Sequence, residues 1–323
     1  MTKITRWGIL GASKFAREQM APAIHLAENA VLAAVATRSV EKAQPFQALA
    51  PGLQVFTDYD AMLAAPDIDA IYIPLPNHLH VEWTKKALAA GKPVLCEKPI
   101  ALAAEAFDDL IAARDASGVL AAEAYMIVHH PQWQYTRELV QSGAIGEVRH
   151  VQGSFCYNNA AATGNIRNRP ETGGGGLPDI GVYPFGAARF VMGEEPQDVT
   201  ADITWENGVD TIARVAASFP SFGFQALISM RLGLYQHMSF HGSDGVIRLS
   251  APFNAGGFGE ASVELRTSEG EQIRRFTAAN QYVLQVEAFG RALHEGADYP
   301  VTLEFSRGTQ VMIDMAYAAA GRP

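Results

Sequence analysis

Through its first ~125 residues the chain alternates short apolar runs with amphipathic stretches of helical period, and few folds accept that rhythm. Residues 6–10, 31–36, 54–56, 70–73, 94–96 and 119–124 read as strands, and residues 16–28, 40–50, 58–64, 78–90 and 102–117 as the helices between them. Alternation of this kind predicts a doubly wound parallel sheet of the Rossmann type, with strands buried on both faces. After Gly146 the pattern changes to longer β-rich segments at 148–157, 199–205, 211–218, 224–232, 238–241, 246–249 and 262–266, which predict an α+β domain built on a large, mostly antiparallel open sheet. Two late helical patterns, 282–295 and 304–319, are expected to pack back onto one of the domains. With 323 residues, 48% of them apolar, the chain exceeds one typical core, and the boundary falls between residues 1–124 and 125–323.

In open α/β sheets ligands bind at the carboxyl ends of the strands, so the residues that follow each strand are the informative ones. The first strand runs into Gly11-Ala12-Ser13-Lys14-Phe15-Ala16, a degraded dinucleotide fingerprint. Gly11 stands at the tight turn, Ser13 where backbone approaches a pyrophosphate, and Ala16 where helix meets strand; the helix start then offers unpaired N–H groups to the anion. The second strand ends in Thr37-Arg38-Ser39, where no carboxylate stands to bind a ribose 2′-hydroxyl. Arg38 and Ser39 suit a 2′-phosphate instead, so NADP is favoured, with NAD possible. A second reading has Ser39 capping the helix 40–50 with Arg38 solvated. Lys98 follows the strand 94–96 and therefore points toward the same crevice.

A third stretch, Gly173 to Gly176 followed by Leu177-Pro178-Asp179-Ile180-Gly181-Val182-Tyr183, opens a helical pattern through Met192. Four glycines let backbone bend closely around a ligand. If Asp179 begins the helix, Asp179 and Tyr183 share a face; read alone, Asp179 is an N-cap and Tyr183 a core aromatic.

The formal charge of −9 and the lack of a basic cluster disfavour nucleic acid. No signal-peptide pattern opens the chain and no run reaches ~18 apolar residues, so no membrane is expected and the expected location is the cytoplasm. Cys96 and Cys156 read as buried thiols, and the pairs His78/His80 and His129/His130 lack a companion set of carboxylates or thiolates, so no metal is expected.

Three separated motifs give the chain a resemblance to the Gfo/Idh/MocA oxidoreductases over nearly its whole length. Glu97-Lys98-Pro99 matches that family's Glu-Lys-Pro motif, Pro76-Asn77-His78 its cofactor-lining loop, and the glycine-rich Asp179 to Tyr183 stretch its catalytic helix. Tyr183 in place of a histidine, together with Asn165-Ile166-Arg167 and Ala122 to Met126, resembles the branch of dimeric dihydrodiol and D-xylose dehydrogenases, although Ile127-Val128 replace that branch's aromatic-arginine pair. The resemblance implies a Rossmann domain, a second domain whose sheet forms a homodimer or homotetramer, and hydride transfer between NADP and a carbohydrate or polyol. The fitting substrate is an aldopyranose oxidised at C1 to a lactone. A trans-dihydrodiol dehydrogenase, a dicarbonyl or keto-sugar reductase, and a non-catalytic NADP-binding regulator are the alternatives.

A free tyrosine ionises near pH ~10, so Tyr183 needs a cation to act as the acid/base, and Lys98 is the expected source. Asp179 is expected to hydrogen-bond the substrate or to orient Lys98, and Arg167 either to reach a substrate hydroxyl or carboxylate or to stand as a domain-bridging surface arginine. His80 is expected to line the cofactor pocket, with Glu97, Leu75, Pro76 and Asn77 beside it.

Overall fold

In the computed structural model, which describes residues 3–321, contacts divide the chain into two compact units. One runs to Met126 and adds Asn280–Ser306; the other comprises Ile127–Ala279 and the chain from Arg307 onward. No helix among the described residues is long and apolar enough to cross a membrane.

The first unit holds a six-stranded parallel sheet of β1 (Thr5–Leu10), β2 (Ala30–Ala36), β3 (Gln54–Phe56), β4 (Ala70–Ile73), β5 (Val94–Cys96) and β6 (Ala121–Glu123). The spatial order β3-β2-β1-β4-β5-β6 reverses between β1 and β4, which creates the crevice where ligands of such sheets bind. Ile9, Leu10, Ile71, Ile73, Val94 and Leu95 are fully buried, as parallel strands covered on both faces require. Each such side chain contributes roughly 1.5–3 kcal/mol of transfer free energy.

The helices depart from the sequence pattern in informative ways. Helical turns after β1 begin at Lys14, pass through a π turn at Ala16–Met20 and end as an α-helix at Ala21–Leu26. The stretch expected to be helical from residue 102 becomes so only at Ala106, because Ile100 and Ala101 are drawn into the core cluster and packing overrides local propensity. Helix Gln281–Glu295, opened by Asn280 accepting from Tyr282 N and Val283 N, packs on this unit, with Phe289 5.1 Å from Trp7 between ring centroids.

The second unit is an eight-stranded sheet of β7 (Val148–Asn158), β8 (Asp198–Glu206), β9 (Val209–Ser218), β10 (Gly223–Ser229), β11 (Arg231–Gly242), β12 (Gly245–Leu249), β13 (Ser262–Thr267) and β14 (Gly270–Arg275). All neighbouring pairs are antiparallel except β7 with β10. The single strand expected over 224–232 is two, divided at Met230. Strand β14 was not expected at all: every residue of Gly-Glu-Gln-Ile-Arg-Arg is exposed, so it carries no apolar alternation, and its pairing with β13 alone makes it a strand. The α-helix Val182–Met192 packs on β7, and a last helix, Leu303–Ala320, ends the described chain.

Candidate active site

In the first unit the loop after β1 has the shape that close approach of a ligand demands. Gly11 sits at φ +116°, and a Cβ there would lie 2.8 Å from Leu75 Cδ2, so the turn admits only glycine. The Ser13 hydroxyl accepts from Ala16 N at 3.0 Å and caps the helix that follows. Lys14 lies 4.0 Å from Glu18, and Phe15 packs edge-on against Tyr282 at 5.7 Å. A groove of about 480 Å³ is lined here by Ser13, Lys14, Arg17, Glu41, Lys42 and Phe46. Arg17 and Lys42 are cations that the motif reading passed over, since neither belongs to the fingerprint.

Arg38 is exposed and near enough to Tyr59 for its charge to oppose the rise that burial gives that phenol. Ser39 stands at the N-terminal boundary of a 3-10 turn, Val40–Ala43, but makes no side-chain cap. Its hydroxyl instead donates to Glu41 Oε2 at 2.6 Å, and that bond holds Glu41 below the usual carboxylate range. A charged Glu41 therefore stands where the sequence reading foresaw only Arg38 and Ser39.

At the end of β5 the Glu97 carboxylate accepts from the Tyr72 hydroxyl at 2.5 Å. Burial is the main cause that pushes Glu97 up to about 6, against the opposing pull of Tyr72 and Lys98. The Lys98–Pro99 peptide is cis, Lys98 is half-buried, and Ile100 N donates to Glu123 at 2.9 Å. Leu75 is buried against Gly11, while Pro76 and Asn77 are half-buried. His80 does not line a pocket: it is fully buried, with Nδ1 2.8 Å from Pro99 O and Nε2 2.7 Å from Leu75 O. Burial lowers it to about 4, so it is neutral and donates to one of the two carbonyls. It sits between the two loops that carry Leu75 and Lys98, one ring nitrogen against each.

In the second unit Gly174, Gly175 and Gly176 make room for the protein's own atoms. A Cβ on Gly174 would meet Arg167 O at 2.5 Å and Arg169 O at 2.8 Å, and one on Gly175, at φ +129°, would meet Asp210 Oδ1 at 2.2 Å. They let this loop fold tightly onto its own chain, where a close approach to a ligand was expected. The helix then opens two residues before Asp179, as a π turn Leu177–Gly181 that continues into Val182–Met192. Asp179 is thus not its cap. Its carboxylate faces Arg167 instead, with Oδ2 2.8 Å from Nε, and accepts from the Tyr157 hydroxyl at 2.7 Å.

Tyr183 is 6% exposed, its ring 5.4 Å from Phe155 and 5.6 Å from Phe253. The charge of Asp179 above all, and after it those of Tyr157 and Tyr183, raise Arg167, so guanidinium, carboxylate and both phenols form one electrostatic group. Burial, and then Asp179, raise Tyr157, which stays a donor. Tyr157 lies outside every motif, and its place on β7 opposite a distant loop explains why. Gln132 is buried and donates to Ala251 O at 3.1 Å, holding the loop that carries Phe253. Ile127 and Val128 are fully buried. Lys98 belongs to the first unit; Asp179, Tyr183 and Arg167 belong to the second.

Residues 5–125 match the model of an oxidoreductase family with an NAD-binding Rossmann fold, and residues 133–248 match the GFO/IDH/MocA C-terminal domain. Among curated relatives, a dTDP-3,4-didehydro-2,6-dideoxy-alpha-D-glucose 3-reductase of Streptomyces violaceoruber is 35% identical over 89% of this chain and 85% of its own. A D-xylose 1-dehydrogenase (NADP(+)) of Haloferax volcanii is 32% identical over 97% of both. Among solved structures, KijD10, a 3-ketoreductase from Actinomadura kijaniata in complex with NADP and TDP-benzene, superposes with a TM-score of 0.89 at 28% identity over 98% of each chain. The sheet order, the glycine-bound turn and these likenesses agree: the chain belongs to the Gfo/Idh/MocA family of oxidoreductases.

Proposed function

We propose that the protein moves a hydride between NADP and a sugar, oxidising an aldopyranose at C1 to its lactone. The observation that carries this reading is the cluster that Asp179 and Tyr183, on the catalytic-type helix of an oxidoreductase fold, form with Arg167 from the preceding loop and Tyr157 from β7. The groove beside Gly11, with Arg17 and Lys42 in its lining, fits a phosphorylated dinucleotide, whose nicotinamide supplies the hydride acceptor. Tyr183 takes the hydroxyl proton in the oxidation and returns it in the reverse direction. Arg167 stabilises the phenolate from within its own unit, and Lys98 is assigned the second positive charge, on the substrate oxygen. Asp179, matched by Arg167, orients a sugar hydroxyl without raising the cost of ionising Tyr183.

A keto-sugar reductase is the second reading, favoured by the dTDP-sugar relatives. Against it, Arg167, Arg169 and Arg231 are matched to Asp179, Glu171 and Glu206, an arrangement that suits a neutral sugar better than a diphosphate.

The test is nicotinamide reduction followed by absorbance, with NADP and NAD against pentoses, hexoses, inositols and trans-diols, using Lys98→Met and Tyr183→Phe as blanks. Turnover of an aldopyranose with NADP that is lost in both variants is the expected result. Reduction of a dTDP-keto sugar without oxidation of any free sugar would select the second reading.

A further inference from the structure

The helix that carries Asp179 and Tyr183 is tied to the helix Leu303–Ala320 at its far end directly and at its near end through Asp210. At its far end the buried Arg189 guanidinium pairs with Glu195 through Nε and Nη2, at 2.6 Å each, and donates through Nη1 to Thr309 Oγ1 at 2.7 Å. Gly308 leaves the room for this, since a Cβ there would lie 2.0 Å from Nη2. At its near end stands Asp210, 1% exposed. Its Oδ2 accepts from Leu177 N at 2.6 Å, and its Oδ1 accepts from the Tyr317 hydroxyl at 2.7 Å.

The sheet is deformed to put that carboxylate there. Pairing of β8 with β9 shifts register between Thr204 and Trp205, Trp205 pairing with Asp210, and Val209, Asp210 and Thr211 are buried in succession instead of alternately. A bulge of this kind re-aims a side chain. A buried carboxylate is costly unless its oxygens are hydrogen-bonded, and here the amide that opens the helix and the phenol of Tyr317 supply those bonds. The turn they hold is a π turn, a rare conformation met where a helix is shaped for function. Gly175 and Gly176 are the residues whose missing side chains let Asp210 reach it.

We infer that Asp210, backed by Tyr317, is a positioning residue that sets the placement of Asp179 and Tyr183 by anchoring the π turn from which their helix starts. This rests on Tyr183 as the acid/base.

The test is Tyr317→Phe, which removes one hydroxyl and keeps the ring against Trp205, alongside Asp210→Asn. The phenolate of Tyr183 is isolated by ultraviolet difference titration, each protein against the same protein with Tyr183→Phe, and kcat and KM for NADP are measured on D-xylose and D-glucose. Expected is a displacement of the Tyr183 titration by about half a unit or more in Tyr317→Phe. With it kcat falls about three- to tenfold at unchanged KM for NADP, and Asp210→Asn falls further. An unmoved titration overturns the inference, as does wild-type kcat in a variant that only melts earlier; should Asp210→Asn fail to fold, Tyr317→Phe decides. If Tyr183→Phe itself retains turnover, the acid/base reading fails first and takes the inference with it. If it abolishes turnover while Tyr317→Phe titrates as wild type, the inference fails alone.

Discussion

Asp179 is paired with Arg167, Oδ2 to Nε at 2.8 Å, and the phenol of Tyr183 lies within electrostatic reach of that guanidinium. A carboxylate alone would oppose the ionisation of that tyrosine, and the guanidinium offsets its charge. Arg167→Met leaves Asp179 with Tyr157 as its donor and removes the cation, so Tyr183 holds its proton more tightly. In the oxidative direction the ascending limb of the kcat–pH profile is expected to move to higher pH. At neutral pH kcat should fall about 10- to 100-fold, the range of one lost charge-assisted hydrogen bond. A profile that keeps its midpoint would show that Arg167 binds without tuning.

The Ser39–Glu41 hydrogen bond makes a second prediction. Glu41 keeps its charge at neutral pH and occupies the Ser39 hydroxyl, so it competes with a 2′-phosphate for the same donor. Glu41→Gln is expected to lower KM for NADP about fivefold and to leave KM for NAD unchanged, as steady-state kinetics with both cofactors would reveal. Equal effects on the two would place Glu41 away from the phosphate.

These two sites mark what can be read in the chain and what cannot. Periodicity identified the parallel sheet because its strands are buried on both faces, and the turn at Gly11 announced itself because only glycine fits. Lys98, Asp179 and Tyr183 lie within short contiguous motifs and were equally visible. Tyr157 and Asp210 were not, because each lies on a strand and acts on a loop or helix remote in sequence, Asp210 through a bulge that no local pattern encodes. His80 was seen but misplaced: its spacing after Asn77 is that of a pocket residue, whereas its two carbonyl partners draw it inward. The glycines 174–176 were seen and given the wrong neighbour, since freedom of backbone does not say whether ligand or protein fills the space.

The corrected role of those glycines separates two substitutions. Gly175→Ala puts a methyl group 2.2 Å from Asp210 Oδ1 at a φ of +129°, and is expected to cost about 3 kcal/mol or more along with most of the turnover. Gly164→Ala, exposed and with nothing within 4 Å of the added carbon, is expected to change stability by less than about 0.5 kcal/mol. Urea unfolding of the two variants is the measurement. Similar midpoints would mean that the loop opens freely from Asp210.

His80 predicts a pH dependence of stability. Its folded value of about 4 lies below the ordinary 6.5, so the folded protein binds fewer protons than the unfolded chain between those limits. Stability contributed by keeping this ring neutral is whole above pH 6.5 and is lost as pH falls toward 4, by up to about 3 kcal/mol. Glu97, raised to about 6, has the opposite sign: its folded form gains the proton first, so acidification from pH 6 favours folding there. The two partly cancel in the wild type, which hides each. Comparison with His80→Gln removes the ambiguity, because Glu97 and all other groups are common to both proteins while glutamine does not titrate and still donates to a carbonyl. Unfolding free energies of the pair at pH 7.5, 5.5 and 4.5 are expected to converge as pH falls, the wild type losing its advantage. A constant difference across that range would mean that the ring titrates alike in the folded and unfolded chain, and a difference that widens on acidification would mean that it keeps its proton when folded and bonds both Leu75 and Pro99 as an imidazolium.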